Sequence, residues 1–194
     1  MTRDYTPLAS PLLVPGTRLP APKHDAARLG LDSPAGDLMT DFMVVPPATI
    51  EASATVDEAN QFMIRRAVRS LLVSDPSQRL LGIITANDVL GERPVNVALE
   101  RKIAYTEVLV RDVMTPAERL EALRIEDVEA AKLGHVVATL AHAGRQHTLV
   151  VESGPDGDFV RGMFSLTHIA AALGISLEAP EIASTFAEVE AALR

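Results

Sequence analysis

The chain has 194 residues, a formal net charge of −8, 47% hydrophobic and 23% charged residues, enough for one ordinary domain or two small ones with a real core. The acidic balance disfavours nucleic acid or anionic lipid as the main partner, since both are held through cationic patches, and 4% aromatic residues with no Trp disfavour a stacking platform for single strands. Zero cysteines exclude disulfides and thiolate chemistry and fit a reducing cytoplasm, and no apolar run approaches the eighteen or so residues of a membrane span.

Prolines crowd the first fifty residues. The stretch "YTPLASPLLVPGTRLPAPKHD" cannot form a long helix, and residues 1–36 are expected to run as an extended arm. Leu12, Leu13 and Val14 could pin it across a neighbouring surface; packing and free extension both stay open. No continuous apolar stretch of the secretory kind opens it. Globular patterning starts near "SPAGDLMTDF". "ATIEAS" reads as a short strand. "SATVDEANQFMIRRA" begins with capping-box chemistry and places Val56, Ala59, Met63 and Ala67 at helical spacing. "SLLV", the turn "SDPSQR" and "LLGIIT" read as a hairpin, and "ANDVL" as a helical turn stopped at Gly91. "RPVNVALERKIA" is helical by the spacing of Val95, Leu99 and Ile103.

The same order then returns. "VLVRDVMT" echoes "GDLMTDF". Leu133, Val136, Val137 and Leu140 line a helix ending at Gly144; "HTLVV" is a strand, "ESGPDGD" a turn, "FVRGMFS" the partner strand and "LTHIAAAL" a helix closed by Gly174. Gly82 and Gly162 fall at equivalent points. This is an internal duplication of mixed elements, and the expected class is α+β. The expected division is 1–36 arm, 37–106 first repeat, 107–175 second repeat, and 176–194 a terminal helix with Ile182, Phe186, Val189 and Leu193 on one face.

The lead-in "DVMT", the strand "SLLV" and the ending "GIITANDVL", all repeated once, resemble a tandem CBS (cystathionine beta-synthase) domain protein, or Bateman module. The resemblance covers residues 37 to 175. It implies two repeats packed as a pseudo-two-fold pair, with clefts that commonly bind an adenine nucleotide (AMP, ADP or ATP), and a regulatory module that signals to a partner rather than an enzyme. It also implies that Thr85 and Asp88 face one cleft. A carboxylate can accept both hydroxyls of a ribose diol, and Thr85 adjoins a helix N-terminus that favours phosphate. The same pair is also an ordinary helix cap, and the two roles are compatible.

The second repeat keeps a hydroxyl at Ser165 but has His168 in place of the acid. A neutral imidazole accepts a single hydrogen bond, so the second cleft is expected to be weaker, differently selective or empty. Arg65, Arg66 and Arg69 close the first repeat's helix, where cations are favoured anyway; Arg69 adjoins the strand and is the one placed to reach a phosphate. Arg145, Gln146 and His147 stand at the comparable junction of the second repeat and are expected to line its cleft. The candidate ligand-binding set is thus Thr85, Asp88, Arg69, Ser70, Ser165, His168 and His147, with no catalytic residue, no metal ligand and no obligatory cofactor. A homodimer is expected, with an unidentified protein partner left open. Two rivals stand beside this reading: an interaction protein with degenerate clefts, and a metal-dependent hydrolase using His135, His142 and His147.

Overall fold

Thr55 and Glu58 start the first long helix. The Glu58 carboxylate accepts the Thr55 N–H at 2.7 Å, and the Thr55 hydroxyl accepts the Glu58 N–H at 3.2 Å. This reciprocal capping box sets helix α1 (Val56–Arg66), which buries Val56, Ala59 and Met63. Ala67, expected to extend that stripe, lies past the helix end instead. Its backbone turns left-handed, and its N–H closes the last turn on Met63 and Ile64. The computed structural model describes Thr17 and residues 29–174. The expected terminal helix over 176–194 and the pinning residues Leu12, Leu13 and Val14 lie outside the described residues.

In the first repeat, β2 (Thr49–Glu51) lies parallel to β3 (Ser70–Ser74), which forms an antiparallel hairpin with β4 (Leu80–Thr85) before α2 (Ala86–Leu90). After α3 (Arg93–Arg101) and α4 (Val110–Val113) comes β5 (Thr115–Pro116). The second repeat matches: β6 (Ala122–Arg124) lies parallel to β7 (His147–Gly154), which pairs with β8 (Gly157–Ser165), followed by α7 (Leu166–Ala172). Two helices, α5 (Ile125–Ala130) and α6 (Leu133–Ala143), stand where the first repeat has α1 alone. The sequence reading did not assign α5, which buries Ile125 and Val128.

The lead-in segments cross. The strand β1 (Thr40–Asp41), which precedes the first repeat, pairs with β8 of the second, whereas β5, which precedes the second, pairs with β4 of the first. The two sheets thus run β2-β3-β4-β5 and β1-β8-β7-β6. This crossing explains the two equivalent glycines. A Cβ on Gly82 would overlap the Thr115 carbonyl, and one on Gly162 would stand 2.6 Å from the Thr40 carbonyl. Arg161 locks β1 in place with two hydrogen bonds to the Asp41 carboxylate (3.0 and 2.8 Å) and one to Glu152 (2.7 Å). The end of the arm follows β1 onto the second repeat. Leu29 and Leu31 pack against its core, and the Ser33 carbonyl accepts the Leu133 N–H at 2.8 Å. From residue 29 onward, packing is the outcome.

Each repeat has its own core, one centred on Leu71, Ile84 and Val89 and the other on Phe164, Leu166 and Ile169. A third cluster of Leu72, Ile83 and Leu149, flanked by Phe42 and Leu120, joins the facing sheets. Two expectations change in detail. The turn "ESGPDGD" is mostly strand, because the β7–β8 ladder continues to Gly154 opposite Gly157 and leaves only Pro155 and Asp156 as the reversal. In α3 the helix forms as expected, but Val95 and Leu99 face outward, 48% and 72% exposed.

Candidate functional site

Residue Thr85 ends β4 and caps α2. Its N–H and hydroxyl both donate to Asp88 Oδ2 (2.9 and 2.7 Å), and its Oγ1 accepts the Asp88 N–H at 3.3 Å. The capping role is therefore real. Both residues also line a cavity of about 330 Å³ between the repeats, whose opposite wall is Leu120, Glu121 and residues 144–149. The first repeat supplies a hydroxyl and a carboxylate; the second supplies Arg145, Gln146 and His147. Those three were expected in a cleft of their own repeat, yet they line the same cavity as the Thr85–Asp88 motif, next to the apolar cluster that joins the two sheets.

One feature of Asp88 corrects the simple diol argument. Its Oδ2 already takes two protein donors, and its Oδ1 accepts Arg93 Nη1 at 2.9 Å. A carboxylate oxygen offers about two acceptor sites, so only Oδ1 has capacity left, and both sites there open only when Arg93 turns away. The Arg93 side chain is 60% exposed, and its other anchor, also through Nη1, is the Val113 carbonyl at 3.0 Å. It is long and free enough to swing.

Burial, followed by the nearby Arg69 guanidinium, drives the His147 imidazole down to about 4 against an opposing pull from Asp88. It is neutral at pH 7 and can accept one hydrogen bond in the cavity. On one side a slot of about 190 Å³ continues past His147, with Ala122, Leu123, Leu140 and Ala143 in its walls. On the other, an open mouth of about 490 Å³ shares Arg93, Thr115 and Arg145 with the cavity and adds Arg119. The arrangement thus offers an apolar recess, a hydroxyl-binding waist and a cationic mouth in sequence.

Of the expected set, Thr85, Asp88 and His147 come together here. Ser70 pairs with Thr85 across the β3–β4 ladder, as His147 does with Ser165 across β7–β8. They are equivalent positions, yet only His147 joins this lining. Arg69, Ser70, Ser165 and His168 stand outside it, with Arg69 and His168 exposed. Ser165 starts α7 without a side-chain cap, unlike Thr85 at the start of α2. Arg65 and Arg66 lie over the Phe62 ring, 5.8 and 5.5 Å from its centre, on a different face. Arg93, Arg119 and Glu121 were not anticipated. Their only sequence signal was the echoed lead-in, which marks 112–115 as structurally special without saying where it packs. The His135 Nδ1 accepts the Lys132 N–H at 3.0 Å as a helix cap, and no cluster of three or more metal-binding side chains occurs among the described residues.

Comparison with known proteins agrees with this fold. The CBS domain profile matches residues 35–94. A structure of an uncharacterised conserved protein from Pyrococcus horikoshii, 22% identical, covers 78% of this chain and all of its own with a TM-score of 0.55. The Arabidopsis thaliana CBS-pair protein CBSX2, solved with AMP, is 25% identical over 74% of this chain and 98% of its own, with a TM-score of 0.52. Residues 35–94 form a CBS domain, and the described residues as a whole have the fold of a tandem CBS pair. The CBS-domain pair of protein MJ0100, solved with 5′-methylthioadenosine and S-adenosyl-L-methionine, shares the fold at 20% identity over 73% of this chain and 96% of its own, with a TM-score of 0.52. Among sequence relatives, an uncharacterised Methanopyrus kandleri protein is 36% identical over 58 residues, so the match spans 30% of this chain and 30% of that relative's length. In this CBS pair no helix of the described residues is long and apolar enough to cross a membrane.

Proposed function

We propose that this CBS pair is a regulatory module that binds an adenine nucleotide in the Thr85–Asp88 cavity and passes its occupancy to a partner protein. The observation that carries the reading is the placement of Asp88 and Thr85 in the wall of a 330 Å³ space whose other wall belongs to the second repeat. A ligand there touches both repeats at once. Its differential affinity for their arrangements is what can bias them. The ribose docks on Asp88 Oδ1 as Arg93 turns outward, the base takes the apolar slot, and neutral His147 accepts one hydrogen bond. CBS pairs of the same fold solved with AMP or with S-adenosyl-L-methionine support an adenosine-type ligand. The module acts by binding, without a catalytic step, and works as a homodimer in the cytoplasm.

Isothermal titration with AMP, ADP and ATP tests this directly. Asp88→Ala should weaken binding at least tenfold, about 1.4 kcal/mol. It should also lower stability by about 1 kcal/mol through loss of the cap. Thr85→Ala removes the same capping partner while leaving the carboxylate. If both variants lose stability alike and neither loses affinity, Asp88 is a cap only and the ribose assignment fails.

A further inference from the structure

The mouth of the cavity has a composition that the fold does not require. Arg93, Arg119 and Arg145 all line it, and the internal duplication supplies a control for two of them. In β-ladder register, Gly82 opposes Pro116 as Gly162 opposes Asp41, so Arg119, three residues after Pro116, corresponds to Val44. Ser70 opposes Thr85 as His147 opposes Ser165, so Arg145, two residues before His147, corresponds to Val68. The same two structural positions carry valine in one half and arginine in the other. Valine suffices for folding there.

The charges are also available. The Arg119 guanidinium has no ion-pair or hydrogen-bond partner among the described residues. Arg145 reaches the Arg119 carbonyl at 3.2 Å and the exposed Glu121 at 3.3 Å. Of the acids in the mouth, Asp112 is held by Arg101 at 2.7 Å, which leaves Glu100 as the uncompensated one. Guanidinium groups bind phosphate oxygens through forked, charge-assisted hydrogen bonds. A mouth of about 490 Å³ has room for more than one phosphate.

We infer that Arg93, Arg119 and Arg145 form an oligophosphate-reading mouth, so the ligand of this cleft is a nucleoside di- or triphosphate rather than a nucleoside, a monophosphate or a cationic sulfonium nucleoside. Arg93 leaves Asp88 for the phosphates as the ribose arrives, which couples recognition of the two parts. The inference rests on the adenosine-type reading above.

The test is titration of the full chain with adenosine, AMP, ADP, ATP, S-adenosyl-L-methionine and inorganic tripolyphosphate, in wild type, Arg119→Val and Arg119→Val/Arg145→Val. The expected result is ATP and ADP at least tenfold tighter than AMP, with S-adenosyl-L-methionine weaker than all three. The double variant should lose that tenfold preference, while in Arg119→Val, whose side chain stands outside the inner cavity's lining, adenosine affinity stays within twofold. Arg119→Val alone, which breaks no described side-chain contact, should lose part of it even if the double variant folds poorly. Equal affinity across the phosphate series, tighter binding of S-adenosyl-L-methionine than of ATP, or unchanged ATP affinity in Arg119→Val would overturn the inference and leave the adenosine reading standing. If no adenosine compound binds but tripolyphosphate binds in an Arg119-dependent way, the adenosine reading fails and the phosphate mouth survives.

Discussion

The imidazole of His147 sits where ligand and fold meet. The unfolded chain protonates it near 6.5, the folded chain only near about 4. Between those values the unfolded state binds more protons, so stability rises with pH across the window. It should be level above pH 6.5 and fall as pH drops toward 4, by up to about 3 kcal/mol. Urea unfolding at a series of pH values, with His147→Gln beside the wild type, measures this; the variant should show a flatter profile over that interval. Identical profiles would assign the pH dependence to other groups. The carboxylates of Asp41 and Glu58, held low mainly by Arg161 and by the Thr55 N–H respectively, begin to lose their contributions as pH falls through the ordinary carboxylate range, at the acid end of that window and below it. As for what the sequence revealed of this site, Thr85 and Asp88 were legible because their spacing is a local motif. His147 was seen but placed in the wrong cleft, and Arg93 and Arg119 were not seen. Their roles depend on which wall faces which, and no local pattern encodes that.

At the level of strands and helices, periodicity carried most of the assignment. The stripes of α1 and α6, the two hairpins and the capped α2 all follow from spacing and turn chemistry. The crossing of β1 and β5 does not, since the Arg161–Asp41 contact joins positions 120 residues apart. Its trace was present as the paired Gly82 and Gly162, noticed for their equivalence without a reason for being glycine. Backbone proximity is that reason. Gly82→Ala should force β5 away from β4 and destabilise the fold by about 1–3 kcal/mol, as overpacking does. The shift in the urea midpoint reads this out, with Gly36→Ala as the control, because no atom lies within 4 Å of a Cβ there. Equal midpoints for the two variants would mean that β5 yields at no cost.

For the molecule as a whole, the neighbouring helices α1, α2 and α3 leave Ile64, Leu90 and Leu99 about 70% exposed. Apolar side chains in that number on adjoining helices ask for cover, which a second copy supplies with two-fold closure. Light scattering at micromolar concentration should give twice the chain mass, and Leu99→Asp should return the single mass; a wild-type monomer over the same range would reject the dimer. The crossed lead-in strands have a further consequence, for the order in which the protein can be completed during synthesis. The first sheet waits for residue 116 before its fourth strand exists. β1 must wait without its partner until β8 arrives about 120 residues later. The first sheet can close once residue 116 is made, but the second cannot finish without β1 from the far end of the chain. Closure of the second sheet depends on the distant β1–β8 pairing, which forms late and slows folding. During that interval the edge of β1 and the bare backbone at Gly82 are surfaces that chaperones would meet.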